Sequence, residues 1–149
     1  MDKIYFAASI RGGREDVELY LKIANHLKRY GQVLTEYVAD KGLTLVGEDG
    51  LSDREIHDRD MNWLSQSNVV VAEVTKASLG VGYEIGRIVE RNLWIPQENR
   101  KRILCLYRPQ IDRRLFAMIN GSNDVTNAKY GVLEEAIASV DKFFNSHKR

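Results

Sequence analysis

The chain has 149 residues, enough for one domain of ordinary size with a real core. Hydrophobic residues make up 44% and charged residues 29%, which excludes a disordered composition. With 22 Lys plus Arg against 21 Asp plus Glu the net charge is +1, so the basic footprint of a duplex DNA or RNA binder is absent.

Lys3–Ala7 reads as a short buried strand, followed by the polar, Gly-bearing run from Ser9 to Arg14. Val17, Tyr20, Ala24 and Leu27 recur at helical spacing, with Ile23 widening the stripe, and predict a helix over Glu15–Tyr30 that Gly31 ends as a left-handed cap. Gln32–Glu36 reads as a second strand and the glycine-rich Lys41–Leu51 as a loop. Ser52-Asp53-Arg54-Glu55 is a capping box, so a helix starts at Ser52 and runs to about Gln66. Asn68–Val74 holds Val69-Val70-Val71-Ala72, a continuous apolar run that suggests a strand buried on both faces. Ser78–Glu84 is a Gly-bearing turn opening a helix to about Asn92, and Trp94–Lys101 is a polar extension. Arg102–Tyr107 is a fourth strand, Asn127–Tyr130 a weak fifth, and helices are expected around Arg114–Ile119 and over Leu133–Phe144.

Strands alternating with helices predict an α/β fold, a parallel sheet covered by helices on both faces, in one domain spanning 1–149. Ligands bind such sheets beyond the carboxyl ends of the strands. That rule selects Ser9–Arg14, Glu36–Tyr37, Ser78–Glu84 and Arg108–Arg114. Cys105 is the only cysteine, so no intrachain disulfide forms and a reducing compartment is expected. No secretory signal pattern opens the chain, and no apolar run approaches the ~20 residues of a membrane helix.

Ser9, Arg11, Gly12, Gly13 and Arg14 suit an anion such as phosphate. Glycines let the backbone approach, the helix start offers free N–H groups, and Ser and Arg add donors. A tight turn with solvated arginines has the same composition. Ser78, Gly80 and Gly82 lead to Glu84, where the positive end of a helix would favour an ionised, nucleophilic carboxylate. Glu36 and Glu73 also lie near strand ends, and spacing does not choose among the three. Asp58 and Asp60 cannot share a helix face, so at most one points into a given pocket. His26, His57 and His147 have no metal-ligand spacing, and no Gly-x-Ser-x-Gly elbow exists.

Several separated stretches, in order, resemble the 2′-deoxynucleoside 5′-phosphate N-hydrolases of the nucleoside 2-deoxyribosyltransferase superfamily. They are Tyr5–Asp16, Asp60–Arg87 with Trp63-Leu64 and Ser78-Leu79-Gly80-Val81-Gly82-Tyr83-Glu84, Ile103–Gln110, and Ala117–Ile119. The likeness runs from about Lys3 to Gly121. It implies a flavodoxin-like (Rossmann-like) five-stranded parallel sheet in a homodimer, without cofactor or metal, in the cytoplasm or nucleus. It also implies a two-step retaining hydrolysis of a deoxynucleoside 5′-monophosphate, with no nucleic acid polymer or membrane as partner. By position, Glu84 matches the nucleophile, Asp60 the acid near the base, and Tyr5 the tyrosine beside the reacting carbon. Ala8, Ser9, Ile10, Arg11, Gly12, Gly13, Arg14, Ser78 and Gly80 match positions around the phosphate and sugar.

The chain departs from the pattern at Ala8 for glycine, Tyr37 for a histidine facing the base, and Phe116 for a serine reaching the partner's phosphate. Trp94–Lys101 is also longer than the usual turn. The rival readings are a nucleoside 2-deoxyribosyltransferase and a non-catalytic nucleotide-binding module. The module need not keep both Glu84 and Asp60.

Overall fold

A computed structural model describes residues 1–9, 14–35 and 50–147. Five strands, β1 (Asp2–Ala8), β2 (Gly31–Val33), β3 (Val69–Glu73), β4 (Arg102–Tyr107) and β5 (Thr126–Lys129), form one sheet. Its order is β2-β1-β3-β4-β5 and every pair is parallel, the flavodoxin-like order in which the chain reverses direction across the sheet between β1 and β3. The helices are α1 (Arg14–Leu27), α2 (Asp53–Gln66), α3 (Leu79–Leu93), α4 (Ala117–Asn120) and α5 (Leu133–Asn145).

Alternation along the strands divides the core into two layers. Ile4, Phe6, Val69, Val71, Leu104 and Leu106 pack with Tyr20, Ile23 and Leu27 of α1 and Val140, Phe143 and Phe144 of α5. Tyr5, Ala7, Val70, Ala72, Ile103 and Cys105 pack with Leu64 of α2 and Val81, Ile85 and Ile88 of α3. All five residues of β3 are buried, as its unbroken apolar run predicts. Ser52 caps α2 through both bonds of the expected box, Glu55 N–H to Ser52 Oγ at 3.2 Å and Ser52 N–H to Glu55 Oε2 at 2.7 Å. The other end of α2 is closed by Lys101, whose ammonium donates to the carbonyls of Ser65 (2.9 Å) and Ser67. Asn92 bonds both backbone groups of Lys101, at 2.9 and 3.0 Å, and so closes the 94–101 extension, which holds a 3-10 turn at Gln97–Asn99.

Three boundaries differ from the sequence reading. First, α1 stops at Leu27 and Gly31 opens β2 instead of capping the helix; among the described residues only Gly50 has a positive φ. Gly31 pairs with Asp2, and a Cβ there would lie 2.1 Å from the Asp2 carbonyl oxygen. Close approach of two strands, not handedness, is what requires glycine. Second, β2 ends at Val33, because Thr35 replaces the backbone ladder with its hydroxyl, accepting from Phe6 N–H at 2.7 Å and donating to Phe6 O at 2.5 Å. Third, α4 begins at Ala117, since the Tyr107 hydroxyl donates to Arg113 O at 2.6 Å and holds the preceding segment as a loop.

Gly31→Ala is expected to lower unfolding stability by about 1–3 kcal/mol, the usual scale for forced overpacking. Urea denaturation monitored by circular dichroism measures it. Stability equal to the wild type would remove close approach as the reason for Gly31.

Candidate active site

The carboxyl ends of β1 and β3 flank the point where the strand order reverses, and the segments that follow them carry the candidate residues. Tyr5 lies on the α2/α3 face of β1 and is 2% exposed. Its hydroxyl donates to Glu84 Oε1 at 2.7 Å. Glu84 sits on α3, a helix whose start is fixed by Ser78 Oγ accepting from Val81 N–H at 3.3 Å.

Glu84 lies a turn and a half into α3, beyond the reach of its free N–H groups. The sequence suggests an ionised carboxylate stabilised by that helix end. Instead, burial pushes the Glu84 carboxyl up to about 7, against the hydrogen bond from Tyr5, which lowers it. The charge of Asp60 raises it further. A carboxyl on α2 therefore bears on the ionisation of one on α3.

Asp60 is the better sheltered of the two α2 aspartates: its side chain is 16% exposed against 60% for Asp58. Arg59 binds Asp60 Oδ1 through Nε (3.1 Å) and Nη2 (2.9 Å), and its guanidinium stacks 4.8 Å from the Trp63 ring. Arg59 was absent from the sequence candidates; its only signal is an arginine four residues before a tryptophan on a helix.

Of the rival carboxylates, Glu73 is buried on the opposite face, where its Oε1 accepts from Thr75 N–H at 2.9 Å and from the Thr75 hydroxyl. Burial raises its pKa, and Tyr20 of the α1/α5 layer is among its neighbours. It cannot serve a site on the α2/α3 side. Glu36 lies outside the described residues, as do Ile10, Arg11, Gly12, Gly13 and Tyr37. Arg14 opens α1, and Ala8 and Ser9 are buried at the end of β1. Ser78 is half-buried as the α3 cap and Gly80 exposed beside it. Cys105 is fully buried, and burial pushes its thiol up to about 12, which keeps it unreactive.

The fold is shared with a CMP N-glycosidase from Clostridium botulinum, at a TM-score of 0.61 and 14% identity, covering 95% of this chain and 98% of that one. A conserved protein from Enterococcus faecalis superposes with a TM-score of 0.55 at 16% identity, covering 96% and 99%. The sequence profile described as nucleoside 2-deoxyribosyltransferase matches residues 4–108. The chain belongs to that family, and its class is N-glycosidase. Within the family it falls among the 2′-deoxynucleoside 5′-phosphate N-hydrolases. The mouse 5-hydroxymethyl-dUMP N-hydrolase is 55% identical over 97% of this chain and 78% of its own length. The rat protein of that name is 48% identical over 97% and 85%. A putative 2′-deoxynucleoside 5′-phosphate N-hydrolase 1 from Trichoplax adhaerens is 48% identical over 95% and 92%.

A carboxyl whose pKa is raised on folding stabilises the protein while protonated, below about 4.5, and loses that contribution as pH rises to about 7. Glu84→Gln, which cannot ionise, is therefore expected to be more stable than wild type at pH 8, by up to about 3 kcal/mol. The gap should close by pH 4.5. Urea unfolding at both pH values checks this, and a gap independent of pH would contradict it.

Proposed function

We propose that the protein hydrolyses the N-glycosidic bond of 2′-deoxynucleoside 5′-monophosphates, giving free base and 2-deoxyribose 5-phosphate. One domain spanning 1–149 carries the reaction, with Glu84 as nucleophile. The observation that carries the reading is the Tyr5–Glu84 hydrogen bond, which holds a sheltered carboxyl that also feels the charge of Asp60.

Ionised Glu84 attacks C1′ as the base leaves, forming a glutamyl ester; Asp60 gives its proton to the departing base nitrogen. Water then attacks C1′, Asp60 takes back a proton, and Glu84 is released as the carboxylate. A deoxyribosyl C1′ lacks the electron-withdrawing 2′-hydroxyl, so positive charge develops there readily. Tyr5 stabilises the reactive form of Glu84, and Arg59 orients Asp60. Ala8, Ser9, Ile10, Arg11, Gly12, Gly13, Arg14, Ser78 and Gly80 are assigned to the 5′-phosphate and sugar by their match to the family's positions. Tyr37 stands at the position where the family has a histidine for the base. No cofactor or metal enters the reaction. The lone buried thiol suits a cytoplasmic or nuclear setting.

Deoxynucleoside monophosphates, 5-hydroxymethyl-dUMP among them, are expected to release free base, with the matching nucleosides much slower. Glu84→Gln should cut turnover by at least ~10³-fold, and intact mass quenched during turnover should show a deoxyribose-phosphate adduct on the Glu84 peptide. An active Glu84→Gln enzyme would falsify the assignment, and base transfer outpacing hydrolysis would make the chain a transferase.

We also propose a homodimer. What supports it is a set of exposed apolar side chains at the ligand end: Leu79, Tyr83, Ile111, Phe116 and Met118. Phe116, standing where a serine would reach the partner's phosphate, trades a donor for apolar packing. Sedimentation at micromolar concentration should give twice the 17.1 kDa chain mass; a monomer would sink the dimer and any shared site.

A further inference from the structure

Across the sheet from Tyr5 and Glu84, a second polar cluster closes the same end of the molecule. Asp16 lies in the first turn of α1 and is buried. Its carboxylate accepts from Arg108 Nη2 at 2.8 Å and pairs with Lys76 Nζ at 2.7 Å. Burial works to raise its pKa, but the bonds to Arg108 and Lys76 prevail and hold it below the usual carboxylate range. Arg108 directly follows β4, and its backbone N–H donates to Thr75 Oγ1 at 3.0 Å. Thr75 donates in turn to Glu73, the buried last residue of β3. Bonds thus run without a break from α1 through the end of β4 to the end of β3.

The reaction uses none of these groups, yet removing one partner of a buried ion pair is strongly destabilising locally. What the cluster fixes is the start of α1, relative to the segments after both β3 and β4. Ser9, at the end of β1, is the last described residue before that helix. A helix start presents N–H groups to an anion only while it is held in place, and misplacement of a binding group by about 1 Å can cost ~10²-fold.

We infer that Asp16 and Arg108 form one positioning unit that fixes the start of α1 for the substrate's 5′-phosphate. The inference rests on the phosphate-recognising function proposed above. It makes a prediction opposite to that of simple electrostatics. Asp16→Asn removes a negative charge near the bound anion, so charge alone would tighten phosphate binding, whereas loss of positioning weakens it.

The test is steady-state kinetics on a deoxynucleotide and its nucleoside, with titration by inorganic phosphate and 2-deoxyribose 5-phosphate. The proteins are wild type, Asp16→Asn, Arg108→Lys, Arg108→Met and the Asp16→Asn/Arg108→Met double variant. Asp16→Asn is expected to raise KM for the nucleotide by ~10-fold or more, with kcat nearly kept and the nucleoside's kcat/KM unchanged. The double variant should bind phosphate no worse than Arg108→Met alone, the signature of two residues acting together. Arg108→Lys should recover part of the loss. If Arg108→Met does not fold, Asp16→Asn and Arg108→Lys decide the matter. Unchanged or tighter phosphate binding by Asp16→Asn, or equal losses on nucleotide and nucleoside, overturns the positioning unit. A wild type that treats the two substrates alike overturns the phosphate reading itself, and the unit with it.

Discussion

Glu84 is a carboxyl group withdrawn from water and held by a hydroxyl from an inner strand. Its position depends on the whole fold. Tyr5 must sit on the α2/α3 face of β1, α3 must start at Ser78, and β1 and β3 must pair with Ala7 opposite Ala72. A one-residue slip in that register would turn Tyr5 to the other face and leave a half-buried carboxyl with no donor from the sheet.

The two faces of the sheet divide the polar groups at its carboxyl edge. On the α2/α3 side lie Tyr5, Glu84 and Asp60, where burial and the charge of Asp60 raise the cost of ionising Glu84. On the α1/α5 side lie Asp16, Arg108, Thr75 and Glu73, which neutralise and bond one another. Period-two alternation is the reason: neighbours such as Ala72 and Glu73 face opposite layers, so the two polar groups stand back to back across the sheet.

The opposite end of the sheet is closed by different means. Asn92 and Lys101 tie α2, α3 and the start of β4 together through backbone carbonyls and amides, and so close the 94–101 extension onto the sheet.

Much was legible in the sequence. The apolar run Val69–Ala72 announced a doubly covered parallel strand, the capping box fixed the start of α2, and the ordered stretches around Tyr5, Asp60 and Glu84 carried the family. Local signals of this kind are contained in a few neighbouring residues, and physical chemistry reads them directly. Only the tertiary structure put Glu73 and Glu84 on opposite faces of the sheet, because which face a carboxyl meets depends on pairing between distant segments. The pKa of Glu84 followed the same logic: helix position suggested a carboxyl held low, and burial, a property of the packed whole, raised it instead. Gly31 looked like a helix cap for as long as its partner Asp2, 29 residues away in the chain, was out of view. Arg59 and the Asp16–Arg108 pair were invisible for a related reason, since an ion pair is chosen by geometry in space and leaves no period in the sequence.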